Sequence, residues 1–110
     1  MENESSWVWL KVKIRVIKTP APDSERMSNL KRELLQELQA RKHLRNPLII
    51  DEGENSFIVQ VETQGYLDEA EINGKGMQEE LIEAESAVYY PAKDETGRTE
   101  ILEVTSIGEA

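Results

Sequence analysis

The chain has 110 residues, a formal charge of −9, and 32% charged against 38% hydrophobic residues. That length suits one domain built around one core, and the negative charge opposes generic binding to nucleic acid or anionic lipid, both of which depend on Lys and Arg. The absence of cysteine removes disulfides, thiolate nucleophiles and zinc sites of the Cys type.

The opening MENESSW is acidic and polar, without the positive start and apolar stretch of a signal peptide, and no run approaches membrane-spanning length. The expectation is a cytoplasmic protein with no membrane association. The expected organisation is a disordered tail at 1–6, one α+β domain at 7–107 and a short tail at 108–110.

Residues 7–18 alternate strictly. Val8, Leu10, Val12, Ile14 and Val16 point one way and Trp7, Trp9, Lys11, Lys13 and Arg15 the other, which is the two-residue period of a strand. Pro20 and Pro22 end it, because each lacks an amide donor and holds the preceding residue extended. Asp23 or Ser24 can then cap a helix in which Met27, Leu30, Leu34 and Leu38 recur at steps of three and four. Arg41, Lys42, His43 and Arg45 gather where exposed carbonyls favour positive charge, and Asn46-Pro47 supplies a stop, so the helix is predicted over 24–44.

Leu48, Ile49 and Ile50 form a short branched apolar run, and the turn-like 51–55 leads into a second alternating strand over 56–63. There Phe57, Val59 and Val61 oppose Ile58, Gln60 and Glu62. Leu67, Ala70, Gly74, Met77, Leu81, Ala84 and Val88 then trace another helical stripe. Glycine weakens a helix by up to about 1 kcal/mol. Gly74 on the stripe predicts close approach to a sheet, and Gly76 off it predicts an irregularity near 73–76. Residues 91–98 read as a polar loop and 99–107 as the last strand, with Leu102 and Val104 inward. In a rival parsing, 88–90 form a strand paired with the last one.

The order strand, helix, strand, strand, helix, strand, with right-handed crossovers, gives a four-stranded antiparallel sheet with both helices on one face. It resembles the ferredoxin-like βαββαβ sandwich. The resemblance spans 7–107, rests on element order alone, and brings no activity, because that fold hosts many unrelated functions.

Such a fold leaves the second sheet face uncovered. The residues expected there are Trp7, Trp9, Lys11, Lys13 and Arg15, then Ile58, Gln60 and Glu62, then Ile101, Glu103 and Thr105. An ordinary solvated face would pair Lys11, Lys13 and Arg15 with Glu62 and Glu103 across strands. An interaction surface would instead use Trp7, Trp9, Ile58 and Ile101 as an exposed apolar patch for a second copy or another protein. An RNA platform needs aromatics beside basic residues, and the net charge and the Ile58, Gln60, Glu62 row stand against it.

Other chemistry is sparse. Arg41, Lys42, His43 and Arg45 could hold an anion, although a capping or surface role is simpler, and no base with an orienting partner accompanies His43. The acidic residues from Asp68 to Glu85 read as a solvated helix face, without the spacing of a calcium loop. The sequence therefore points to a non-catalytic protein-interaction module without cofactor or metal, with homodimerisation as one form of association. A small enzyme or small-molecule-binding domain, with a pocket at the sheet–helix or dimer seam, is the alternative.

Overall fold

The computed structural model describes residues 7–88 and 96–109. In chain order they form β1 (Trp7–Thr19), α1 (Ser24–Gln39), β2 (Leu44–Asp51), β3 (Ser56–Tyr66), α2 (Ala70–Val88) and β4 (Thr96–Glu109), with a single 3-10 turn at Leu67–Glu69 leading into α2. The strands make one sheet in the order β2-β3-β1-β4, and each neighbouring pair is antiparallel. This is an α+β architecture with the element order βαββαβ.

One face of the sheet is built by the inward row of β1, from Val8 through Val16, and by Phe57, Val59 and Val61 of β3, all buried. Met27, Leu30, Leu34 and Leu38 of α1 and Met77, Leu81 and Ala84 of α2 close over it to complete one hydrophobic cluster. A fully buried Leu or Ile contributes roughly 1.5–3 kcal/mol, so this layer is the main source of stability. Asp23 caps α1, its side chain accepting from the Arg26 amide at 2.8 Å. Gln78 ties α2 to β4 by donating to the Thr99 carbonyl at 2.8 Å.

Several boundaries differ from expectation. Helix α1 stops at Gln39, short of residue 44, because Leu44 is buried as the first residue of β2 and pairs with Thr63. Asn46-Pro47 is a bulge within β2, where two residues stand opposite Val61 alone between the Arg45–Glu62 and Leu48–Gln60 pairs. Asn46 takes φ 52°, which asparagine tolerates, and proline is accepted on an edge strand. Helix α2 runs unbroken through 73–76. Gly74 is buried there, and a Cβ on it would lie 2.6 Å from Val104 Cγ2, so packing against the sheet holds the helix straight where propensity alone predicts a bend.

Strand β3 runs on to Tyr66, past the expected end at 63, and β4 takes in Thr96, Gly97 and Arg98 from the expected loop and extends to Glu109. Val88 is the last residue of α2, and the rival strand otherwise falls on Tyr89 and Tyr90, outside the described residues, as do the tail at 1–6 and the loop at 91–95.

Candidate functional site

The outward row of β1 lies on the face that neither helix covers. Register places its neighbours on both sides: Trp7 beside Tyr66, Trp9 beside Gln64 and Gly108, Lys11 beside Glu62 and Thr105, Lys13 beside Gln60 and Glu103, and Arg15 beside Ile58 and Glu100. Edge strand β2 adds Arg45, Leu48 and Ile50 beside Glu62, Gln60 and Ile58. Trp7, Trp9, Lys11, Lys13, Arg15 and Ile58 therefore share this face, as the alternation predicts.

Ile101 does not. It pairs with buried Ile14, and its side chain reaches within 4 Å of the space above Gly74, so it packs beneath α2. The cause is a bulge: Lys13 pairs with Glu103 but Ile14 with Ile101, which leaves Leu102 as the extra residue. Beyond it the alternation of β4 inverts, and Glu100 takes the outward place expected of Ile101.

Three cations of the face, Arg15, Lys13 and Arg45, are held by carboxylates. Arg15 is clamped on both sides: its Nε and Nη2 donate to Glu52 at 2.8 and 2.9 Å, and its Nη1 to Glu100 at 3.0 Å. The hydrogen bonds from Arg15 hold the Glu52 carboxyl below its ordinary value, and the two carboxylates raise the Arg15 guanidinium in return. Lys13 lies 3.5 Å from Glu103. The Thr105 hydroxyl, donating at 2.9 Å, and then the charge of Lys13 keep Glu103 low. Arg45 donates to Glu62 at 2.7 Å while its guanidinium carbon sits 3.6 Å from the centre of the Trp9 ring, an ion pair and a cation–π contact from one side chain.

The apolar groups form two clusters instead of one. Trp7 and Tyr66 meet in a tilted contact with ring centroids 4.2 Å apart at one end, and Trp7 remains 50% exposed. Ile58, Leu48 and Ile50 gather at the far corner, Leu48 being 49% exposed. Eight residue steps along β1, from Trp7 to Arg15 opposite Ile58, separate the two clusters, about 26 Å at the rise of a strand. The charged rows fill the interval.

The four residues considered for an anion do not converge. Arg41 reaches Glu80 and Glu37, each at 3.3 Å, and His43 Nε2 is 2.7 Å from Glu80, all on the helix side. Arg45 points to the open face, and Lys42 is exposed in the turn between α1 and β2. Beside Glu80 a shallow depression is lined by Thr63, Gln64, Asn73, Gly76 and Met77. Lys18, with 2% of its side chain exposed, forms an ion pair with Glu85 at the end of the core. Its signal in sequence is that it continues the inward row of β1 by one step.

Among the described residues no His, Asp or Glu group of three could hold a metal ion, and no helix is long and apolar enough to cross a membrane. The fold and this face define a small α+β domain in which, among the described residues, one sheet surface of charged rows between two apolar ends is left uncovered. Comparison with known proteins returns no family model, no curated protein and no solved structure that matches the chain.

Proposed function

We propose that this chain is a ferredoxin-like, non-catalytic protein-interaction module that self-associates or docks on another protein through the open sheet face. The observation that carries the reading is the pair of exposed apolar clusters, Trp7 with Tyr66 and Leu48 with Ile50 and Ile58, on a face that no element among the described residues covers. Their spacing of about 26 Å matches the breadth of an interface of standard size. Tryptophan and tyrosine are also the side chains that most often anchor such interfaces.

The ion pairs favour protein over RNA. Phosphate would have to displace Glu52, Glu100, Glu103 and Glu62 from the cations they already neutralise, against a chain charge of −9. Single-stranded RNA is accordingly expected to leave tryptophan fluorescence unchanged at low salt.

Light scattering and near-ultraviolet circular dichroism on the wild type and on the Trp7→Ser and Leu48→Ser variants test the module. Association that is lost in the variants while the fold persists supports it. Association that survives both changes rejects the open face as its seat. The depression beside Glu80 favours a second reading, a small-molecule-binding domain, for which thermal protection by a polar small molecule, abolished in Glu80→Gln, is the corresponding signal.

A further inference from the structure

We infer that the occupant of the open face is a second copy of this chain, related by a two-fold axis that runs parallel to the strands, between β1 and β3. The inference rests on the interaction-module reading and adds the partner and its register. Two stacked faces can be related only by a two-fold axis lying in the plane between them, so along or across the strands are the two simple choices. An axis along the strands lays β1 of one copy on β3 of the other and keeps every row level with itself. Because Lys11 and Glu62 are in register, Lys11 of each copy then faces the partner's Glu62, twice per dimer. Two rows away Trp7 comes over the partner's Tyr66. Towards the opposite end Arg98, level with Ile17, approaches the partner's Glu52.

An axis across the strands instead brings Lys11 onto the partner's Lys13, also twice, and like charges in contact are costly. Charge complementarity thus selects the first arrangement. The stagger imposed by sheet twist is smallest near the centre of the face, where Lys11 and Glu62 lie. Charge also selects this face over the others. Here the cations of β1 and β2 are matched by carboxylates of β3, β4 and the β2–β3 turn, whereas the exposed surface of α2 carries Glu71, Glu79 and Glu83. Two copies of an acidic chain meet with least repulsion on the balanced face. Four strands about 4.8 Å apart, over the ten-residue steps from Trp7 to Ile17, span about 19 by 33 Å, close to the footprint of about 800 Å² per partner in a standard interface.

The test is molar mass by light scattering for the wild type, for Lys11→Glu, for Glu62→Lys and for an equimolar mixture of the two variants, with circular dichroism confirming the fold of each. The wild type is expected at twice 12.6 kDa. Each variant alone places like charges across the axis and is expected at the monomer mass. In the mixture, Glu at position 11 meets Lys at position 62 and Lys meets Glu, and the dimer mass is expected to return. Within each variant chain the 11–62 neighbours stay like-charged, so recovery on mixing reads only the contact between copies. A wild type that stays monomeric from micromolar to millimolar concentration overturns the second copy as occupant. A wild-type dimer that ignores both substitutions, or variants that fail to recover on mixing, overturns the register while leaving the face itself to the Trp7→Ser and Leu48→Ser comparison.

Discussion

A Cβ placed on Gly74 would lie 2.6 Å from Val104 Cγ2, so helix α2 meets strand β4 at a distance that only glycine allows. Gly76, two residues on, has nothing within 4 Å of the same position. The two glycines of one helix thus have opposite reasons to be tested.

Gly74→Ala gains about 1 kcal/mol of helix propensity but forces Val104 to shift, an overpacking cost of about 1–3 kcal/mol. The expected result is a loss of about 1 kcal/mol. Gly76→Ala meets no obstacle and is expected to gain roughly 0.5–1 kcal/mol. Urea denaturation of both variants checks the pair, and equal shifts of the same sign would contradict this packing.

Lys18 and Glu85 form an ion pair at the end of the core, with 2% and 14% of their side chains exposed. Removing Glu85 takes one acceptor from a nearly buried ammonium, so Glu85→Ala is expected to cost about 1–3 kcal/mol. Replacing both by apolar residues, Lys18→Met with Glu85→Leu, removes the two charges together and is expected to cost less than the single change. A double-mutant cycle measured by denaturation reads the coupling.

The Arg15 clamp makes a statement about acid. Glu52 and Glu103 sit below their ordinary carboxylate values, so their contribution is present above the unfolded value of about 4.3 and is lost as pH falls through the lower folded values. Stability should therefore decline from that value downward. In Arg15→Gln the part due to Glu52 shrinks, because Arg15 is its main cause and Ser56 a lesser one, while the part due to Glu103 persists on Thr105 and Lys13. Denaturation midpoints followed from neutral into acidic pH should show a shallower acid limb in the variant, and an unchanged limb would exclude the clamp as its source.

Much of this architecture is legible in the sequence because it is local. The alternation from Trp7 to Lys18 and the stripe of Met27, Leu30, Leu34 and Leu38 each need one period and one end signal, and the structure follows both. Leu44 is ambiguous because it lies within the basic segment read as a helix end and also begins a strand, and only pairing with Thr63 decides between them. The outward row of β1 was readable, but its partners were not. Tyr66 and Glu100 join the face through strand register, and Glu52 reaches it from the β2–β3 turn, all through contacts between residues far apart in the chain. A bulge is harder still, since Ile101 and Leu102 are both apolar and either could point inward.

That ambiguity yields the sharpest contrast between neighbours. With the bulge, Ile101 packs beneath α2 beside Gly74 and opposite Ile14, while Leu102 is 39% exposed. Ile101→Ala should then behave as a core truncation at a partly buried position, costing about 1–2 kcal/mol. Leu102→Ala should stay within about 0.5 kcal/mol. An unbulged strand with Leu102 inward requires the reverse order, because the two side chains would exchange faces. The sign of the difference between the two denaturation midpoints thus reports which residue lies under the helix, and with it whether Glu100 or Ile101 stands beside Arg15 on the open face.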